Sequence, residues 1–116
     1  MENSEKKVLT FTIFMIVKTT NTWLKLAPKE RFGFLDKTIQ PILKNHQNVK
    51  MRFYDSEAFT GKASDVIVWE TSDLQSYQHL VEELRESNFW GTYFDILDII
   101  PSIENAYADH YDVKAY

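Results

Sequence analysis

The chain has 116 residues, a net charge of −4, no cysteine and 15% aromatic residues. This length suits one domain with a modest hydrophobic core, and the lack of cysteine excludes disulfide bonds and thiolate metal sites. The negative charge argues against nucleic-acid binding, which needs a basic surface to contact phosphates.

The first half of the chain predicts a strand followed by a helix. Residues 1–7 are polar, and we expect them to be disordered. The apolar run at residues 9–17 is too short to span a membrane, and its composition predicts a strand. Residues 28–45 repeat apolar side chains at three- and four-residue spacing, which predicts a helix that Pro41 kinks or frays.

The second half predicts a hairpin, a helix and a last strand. Residues 49–57 and 65–71 are strand-like. Residues 65–71, the third predicted strand, are more apolar than residues 49–57. Residues 72–75 have a capping-box pattern that opens a helix at residues 73–86. After an aromatic segment that we interpret as a plug, residues 96–100 form a short strand before a proline.

The order β-α-β-β-α-β is that of the ferredoxin-like α+β unit. We expect a single domain over residues 1–116, with a four-stranded antiparallel sheet, two helices on one face and residues 102–116 as a C-terminal extension. The first and third strands should be central because they are the most apolar. Phe14 and Ile16 make the second face of the first strand too apolar for water, which predicts a homodimer.

The open face of this sheet is the predicted binding site. Alternation puts Arg52 and Tyr54 on one face of the second strand, and the third strand adds Trp69 or, one register away, Glu70. An aromatic wall with one cation suits a small apolar or aromatic ligand, whereas the alternative is a structural Arg–Glu pair beneath a dimer interface. The predicted ligand-binding residues are Arg52, Tyr54, Trp69, Phe14 and Thr12.

The remaining polar candidates predict little chemistry. Asp55 and Glu57 share one face of the second strand, but their place near the hairpin turn favours simple solvation. His46 falls at the end of a helix, His79 should face water, and His110 lies in the tail, so the histidines do not form a metal set. We therefore expect no metal and no cofactor.

Five stretches of the chain carry a resemblance: Phe11-Thr-Ile-Phe-Met15, Ile39-Gln-Pro-Ile-Leu43, Arg52-Phe-Tyr-Asp-Ser-Glu-Ala58, Trp69-Glu-Thr71 and Glu104-Asn-Ala-Tyr-Ala108. Together they resemble the darcynin family of small bacterial proteins. The resemblance covers nearly the whole chain and implies neither an established activity nor catalytic residues. The order of elements is also similar to the dimeric α/β-barrel class, which includes cofactor-independent monooxygenases, muconolactone isomerases and haem-handling proteins, and this similarity implies a fold rather than a function.

Three functions stay open from the sequence. The first is a binding protein for a small apolar or aromatic molecule, with Arg52 as its polar anchor. The second is a cofactor-independent monooxygenase or isomerase of an aromatic-derived substrate, with Glu70 or His110 as the base and Arg52 or Tyr54 as the oxyanion partner. The third is a purely structural homodimer. In each case we expect a cytoplasmic protein that contacts neither membranes nor nucleic acid.

Overall fold

The computed structural model describes residues 8–116, so the predicted disorder of residues 1–7 lies outside the described residues. The sheet has four antiparallel strands in the order β2-β3-β1-β4, which is the ferredoxin-like order with β1 and β3 at the centre. The predicted fold class is therefore confirmed. The strands are β1 Phe11–Thr19, β2 Lys50–Asp55, β3 Asp65–Thr71 and β4 Phe94–Ser102.

The helices that precede β4 in the chain pack against one face of the sheet, which we call the covered face. Their apolar side chains form a single core with the covered faces of β1 and β3. The longest uninterrupted helix follows the β2–β3 hairpin, and the other long helical segment, which links β1 to β2, is built from three pieces. The helical elements are α1 Asn21–Leu24, α2 Pro28–Phe34, a π-helical turn Leu35–Ile39, α3 Gln40–Lys44, α4 Leu74–Arg85 and α5 Ala106–Tyr111.

The central strand β1 has two faces of different character. Ile13, Met15 and Val17 are 0% exposed on the covered face, where they meet the buried face of α4. Phe14 and Ile16, one residue away, are only half-buried on the opposite face, which we call the open face. Period-2 alternation thus divides one apolar strand between a closed core and an exposed surface.

Pro41 changes the hydrogen bonding of the first long helix without ending it. Proline has no N–H to donate to the carbonyl four residues earlier, which normally breaks the ladder. Here the chain widens into the π-helical turn, in which the Gln40 N–H donates to the Leu35 carbonyl. Pro41 then occupies the first turn of α3, where its missing donor is harmless. The predicted fraying is wrong, because the helix continues to Lys44.

The second long helix begins one residue later than its sequence pattern indicates. Asp73, rather than Ser72, is the N-cap of α4, and its carboxylate accepts from the Gln75 N–H at 3.0 Å. The Ser76 hydroxyl donates to the same carboxylate at 2.9 Å. This bond lowers the pKa of Asp73, because it stabilises the charged form.

An aromatic cluster fills the end of the core between α4 and β4. Phe89 and Phe94 are buried and stack with ring centroids 4.7 Å apart. Trp23 of α1 lies against both Tyr93 and Phe94, with centroid distances of 5.2 Å. The predicted plug is thus part of the core, and it anchors α1 to the start of β4.

The C-terminal extension contains the short helix α5 between two residues in the left-handed conformation. Asn105 and Asp112 have φ values of 51° and 52°. Beyond α5 the Val113 N–H donates to the Ala108 carbonyl at 3.0 Å, and the Tyr116 N–H donates to the Tyr107 hydroxyl at 2.7 Å. The last residues therefore fold back on their own helix.

Candidate functional site

A cavity of about 780 Å³ lies between the covered face of the sheet and the helices. We call it the covered-face cavity, and its volume is within the range of known small-molecule sites. Its lining includes exposed apolar side chains, among them Leu24 of α1 and Phe53 of β2. Its deeper wall is apolar and aromatic, and includes Trp23, Ile39, Leu43, Ile67, Trp69 and Phe94.

The structure separates one predicted binding residue from the others. The β1–β3 register pairs Ile13 with Trp69 and Thr12 with Glu70. Trp69 therefore lies on the covered face, where it is buried and lines the covered-face cavity. Its predicted place beside Arg52 is wrong, because a shift of one residue moves a strand side chain to the other face.

The open face holds the other four predicted residues. Thr12 and Phe14 of β1 share this face with Arg52 and Tyr54 of β2, since Arg52 and Phe14 both pair with Val68. None of the four lines the covered-face cavity. The covered-face cavity therefore lies on the other side of the sheet from these four residues, whose role in ligand binding stays a prediction.

Glu70, one of the two predicted bases, also lies on the open face. Its carboxylate is 3.5 Å from the Arg52 guanidinium, and the two side chains are 29% and 66% exposed respectively. This arrangement matches the alternative of an Arg–Glu pair. An exposed pair of this kind stabilises a fold by less than about 1 kcal/mol.

Three carboxylates meet at one end of the covered-face cavity. Asp55 and Asp65 are directly paired across the β2–β3 hairpin, and Glu57 lies just beyond the end of β2. Their carboxylate oxygens lie within 4.8 Å of one another. Asp55 and Glu57 are exposed, as their sequence position predicts, but Asp65 is only 4% exposed.

Ser64 holds Asp65 in place. The Ser64 hydroxyl donates to Asp65 Oδ2 at 2.7 Å, and its oxygen accepts from the Thr19 N–H at 2.8 Å. The Ser64 backbone N–H donates to the Val17 carbonyl at 2.9 Å. Asp65 is thus oriented by a buried serine that is itself bonded to the central strand.

The surroundings of Asp65 change its proton affinity. Burial raises the pKa of Asp65 from 3.8 to about 6, although the hydrogen bond from Ser64 acts in the opposite direction. The charges of Glu57 and Asp55 contribute to this rise, because they repel a third negative charge nearby. A carboxyl group with this pKa exchanges protons close to neutral pH, which is common at functional sites.

The two basic side chains of the cavity wall donate to backbone carbonyls rather than to the three carboxylates. Lys18 Nζ donates to the Gly61 carbonyl at 2.8 Å. Arg31 Nε and Nη2 donate to the carbonyls of Trp23 and Leu24 at 3.2 and 2.9 Å. Among residues 8–116, no lysine or arginine forms an ion pair with the three carboxylates. This end of the cavity is therefore acidic.

The histidines lie outside the covered-face cavity. His46 pairs with Glu83 between α3 and α4, and His79 is exposed on α4. His110, the other predicted base, is exposed on α5 against the Tyr111 ring. The cavity wall therefore does not fit a haem bound through an axial histidine, the group that the α/β-barrel resemblance raises.

Comparison with known sequences assigns the family. The model of Darcynin, a domain of unknown function, matches residues 4–116. The chain belongs to the Darcynin family. A Darcynin homolog of Granulibacter bethesdensis is 45% identical over 101 residues, which cover 86% of this chain and 82% of the relative. Darcynin 1 of Acinetobacter baumannii is 40% identical over 88 residues, which cover 75% of this chain and 98% of that protein.

Solved structures share the fold of this Darcynin chain. One variant of the chlorite dismutase from Candidatus Nitrospira defluvii matches 95% of the chain with a TM-score of 0.75 and 18% identity. A second variant matches 91% with a TM-score of 0.71 and 9% identity. The chain spans about half the length of these proteins, at 46% and 45%. At such low identity the likeness shows the fold alone.

One further finding concerns membranes. Across residues 8–116, no helix combines the length and the apolar character that a bilayer crossing requires.

Proposed function

We propose that this Darcynin chain binds a small apolar or aromatic molecule in the covered-face cavity, with the polar group of the ligand at the Asp65 end. The single observation that carries the proposal is the cavity itself, about 780 Å³ in volume with an aromatic wall and one acidic end. Ligand sites in proteins commonly combine apolar walls with a few convergent polar groups.

A second observation supports the same site. The indole N–H of Trp69, a cavity-lining residue, is buried and has no hydrogen-bond acceptor within the described part of the chain. Buried donors in folded proteins are rarely left without a partner. A ligand that offers an acceptor beside Trp69 would supply one.

Calorimetric titration with 1-naphthol tests the proposal. This probe has an aromatic body that matches the wall and a hydroxyl group that can bond a carboxylate. We expect saturable binding that Leu43→Trp weakens at least about tenfold, because the larger side chain fills the cavity. Leu74→Trp makes the same chemical change on α4 outside the cavity and should leave the affinity unchanged. Equal affinities of the two variants would refute this location.

A cofactor-independent monooxygenase or isomerase is the second candidate function. The observation that favours it is a buried carboxyl group, Asp65, on the wall of an apolar cavity. The predicted bases Glu70 and His110 stay candidates only for a different site, since they lie on the open face and on α5.

We further propose that the open face pairs with a second copy of the chain. The third function predicted from the sequence, a purely structural homodimer, requires the same pairing. Phe14 and Ile16 are flanked on this face by Val66, Val68 and Ile100, which the strand register places beside them. A contiguous apolar patch on a soluble protein commonly marks an interface. The lack of cysteine in the sequence fits a cytoplasmic location for this homodimer.

A further inference from the structure

We propose that Asp65 is a general base that removes a proton from a carbon atom of the bound ligand. This inference rests on the proposed function, because it needs a ligand in the covered-face cavity. It goes beyond binding, since it assigns the cavity a reaction class, proton transfer at carbon.

The first argument is the placement of the carboxyl group. Asp65 lies on the cavity wall and is 4% exposed, so water has little access to its carboxylate. A carboxylate that has lost its water shell is a stronger base than one in solution. Exposed Asp55 and Glu57, although close by, do not share this property.

The second argument is orientation. A useful base is held by a third group, as in the catalytic triads of hydrolases. Here the Ser64 hydroxyl donates to Asp65 Oδ2, and the Thr19 N–H donates to Ser64 Oγ. Oδ2 is thus fixed by a chain of two hydrogen bonds that leads back to β1.

The charged groups around Asp65 set the pH at which it can act. Burial and the negative charges of Glu57 and Asp55 raise its proton affinity, and the carboxylate oxygens of the three residues lie within 4.8 Å of one another. The cations of the cavity wall, Lys18 and Arg31, bond backbone carbonyls instead. With a pKa of about 6, Asp65 is mostly ionised at neutral pH yet still basic enough to accept a proton.

The chemistry implies a substrate class. The ligand must have an apolar or aromatic body and a C–H bond acidified by a neighbouring electron-withdrawing group. Asp65 takes the proton, the bonding pair stays on the ligand, and the proton returns at a different atom. Such an isomerisation is balanced without an oxidant or a reductant.

A Kemp elimination tests this base directly. In 5-nitrobenzisoxazole, a carboxylate takes the proton from the ring carbon beside nitrogen, the N–O bond breaks, and a coloured cyanonitrophenolate forms. We expect saturable turnover whose kcat/KM rises with pH through a midpoint near 6 and then levels off. This profile is measured on the unaltered chain, in the presence of a chelator to exclude adventitious metal.

Variants assign the base. Asp65→Asn should lower kcat/KM at least about 100-fold, in keeping with the loss of a general base, while calorimetry still detects 1-naphthol binding, because asparagine keeps a polar side chain at this end of the cavity. Asp55→Asn should keep turnover and move the midpoint to lower pH, because it removes a negative neighbour. Asp36→Asn, an exposed aspartate outside the cavity, is the matched control and should leave the profile unchanged.

The possible failures are distinct. If neither 1-naphthol nor the nitrobenzisoxazole binds, the proposed function falls and this inference falls with it. If a probe binds but the nitrobenzisoxazole is not turned over, or Asp65→Asn turns it over as fast as the unaltered chain, binding stands and the base is refuted. A flat pH profile around 6 refutes it without any variant.

Discussion

The two faces of the sheet differ more than the pattern of their residues indicates. On the covered face, the apolar side chains of β1 and β3 close part of the core and leave a cavity beside it. On the open face, the same strands present Phe14 and Val68 beside the exposed Arg52–Glu70 pair. Since neighbouring residues of one strand supply both faces, a shift of one position moves a side chain from the cavity wall to the open face.

The largest expected effect compares two adjacent residues of β1. Met15 is fully buried on the covered face, so Met15→Ala should lower the free energy of unfolding by about 3 kcal/mol. Ile16 is half-buried on the open face, so Ile16→Ala should cost about 1 kcal/mol or less in the isolated chain. Urea unfolding of both variants measures the difference. Equal losses would mean that both faces are closed in solution.

The next effect depends on pH and concerns Asp65. Because burial raises its pKa in the folded chain from 3.8 to about 6, the folded state binds more protons than the unfolded state between these values. Its contribution to stability is therefore present at low pH and is lost as pH rises towards 6. Two pKa units correspond to about 3 kcal/mol at most.

Asp65→Asn removes this pH dependence. The variant should be more stable than the unaltered chain at neutral pH and similar near pH 4, as measured by urea unfolding at each pH. Asp36→Asn, on the exposed side of the π-helical turn, serves as the control because it keeps Asp65 in place. A variant that loses stability equally at both pH values would contradict the raised pKa.

The sequence predicts the order of elements and both central strands because their apolar alternation is strong. It does not settle the register of β3, because Val66, Ile67 and Val68 are apolar on both faces. Trp69 and Glu70 were therefore equally good candidates for the open face. Only the observed pairing of Trp69 with Ile13 decides between them.

The sequence indicates two of the three carboxylates at the acidic end of the cavity. Asp55 and Glu57 stand out as neighbours, and solvation of both was the reasonable expectation. The missing partner, Asp65, is ten residues from Asp55 along the chain, and the hairpin register places the two opposite each other. The sequence does contain a signal for this pairing, because the predicted hairpin has one aspartate at the end of its first strand and another at the start of its second strand.

The proposed homodimer predicts a third effect on the open face. Phe14→Asp would bury an unpaired charge at the interface, so self-association should weaken at least about tenfold. Phe32→Asp makes the same change at a side chain that is 64% exposed on α2 and should leave association unchanged. Light scattering over a concentration series measures both. A Phe14→Asp variant that associates as strongly as the unaltered chain would exclude this face.

The smallest expected effect concerns Arg52 and Glu70, and it depends on whether the open face is covered. In an isolated chain their contact of 3.5 Å is largely exposed, so a double-mutant cycle with Arg52→Ala and Glu70→Gln should give less than about 1 kcal/mol. Beneath a dimer interface the same pair would lose its water, and breaking it would cost about 3 kcal/mol or more. The cycle is therefore measured twice, in the unaltered chain and in the Phe14→Asp background. A coupling that is large only in the unaltered chain places the pair inside the interface, whereas equally small couplings in both backgrounds leave the pair at the surface, away from any interface.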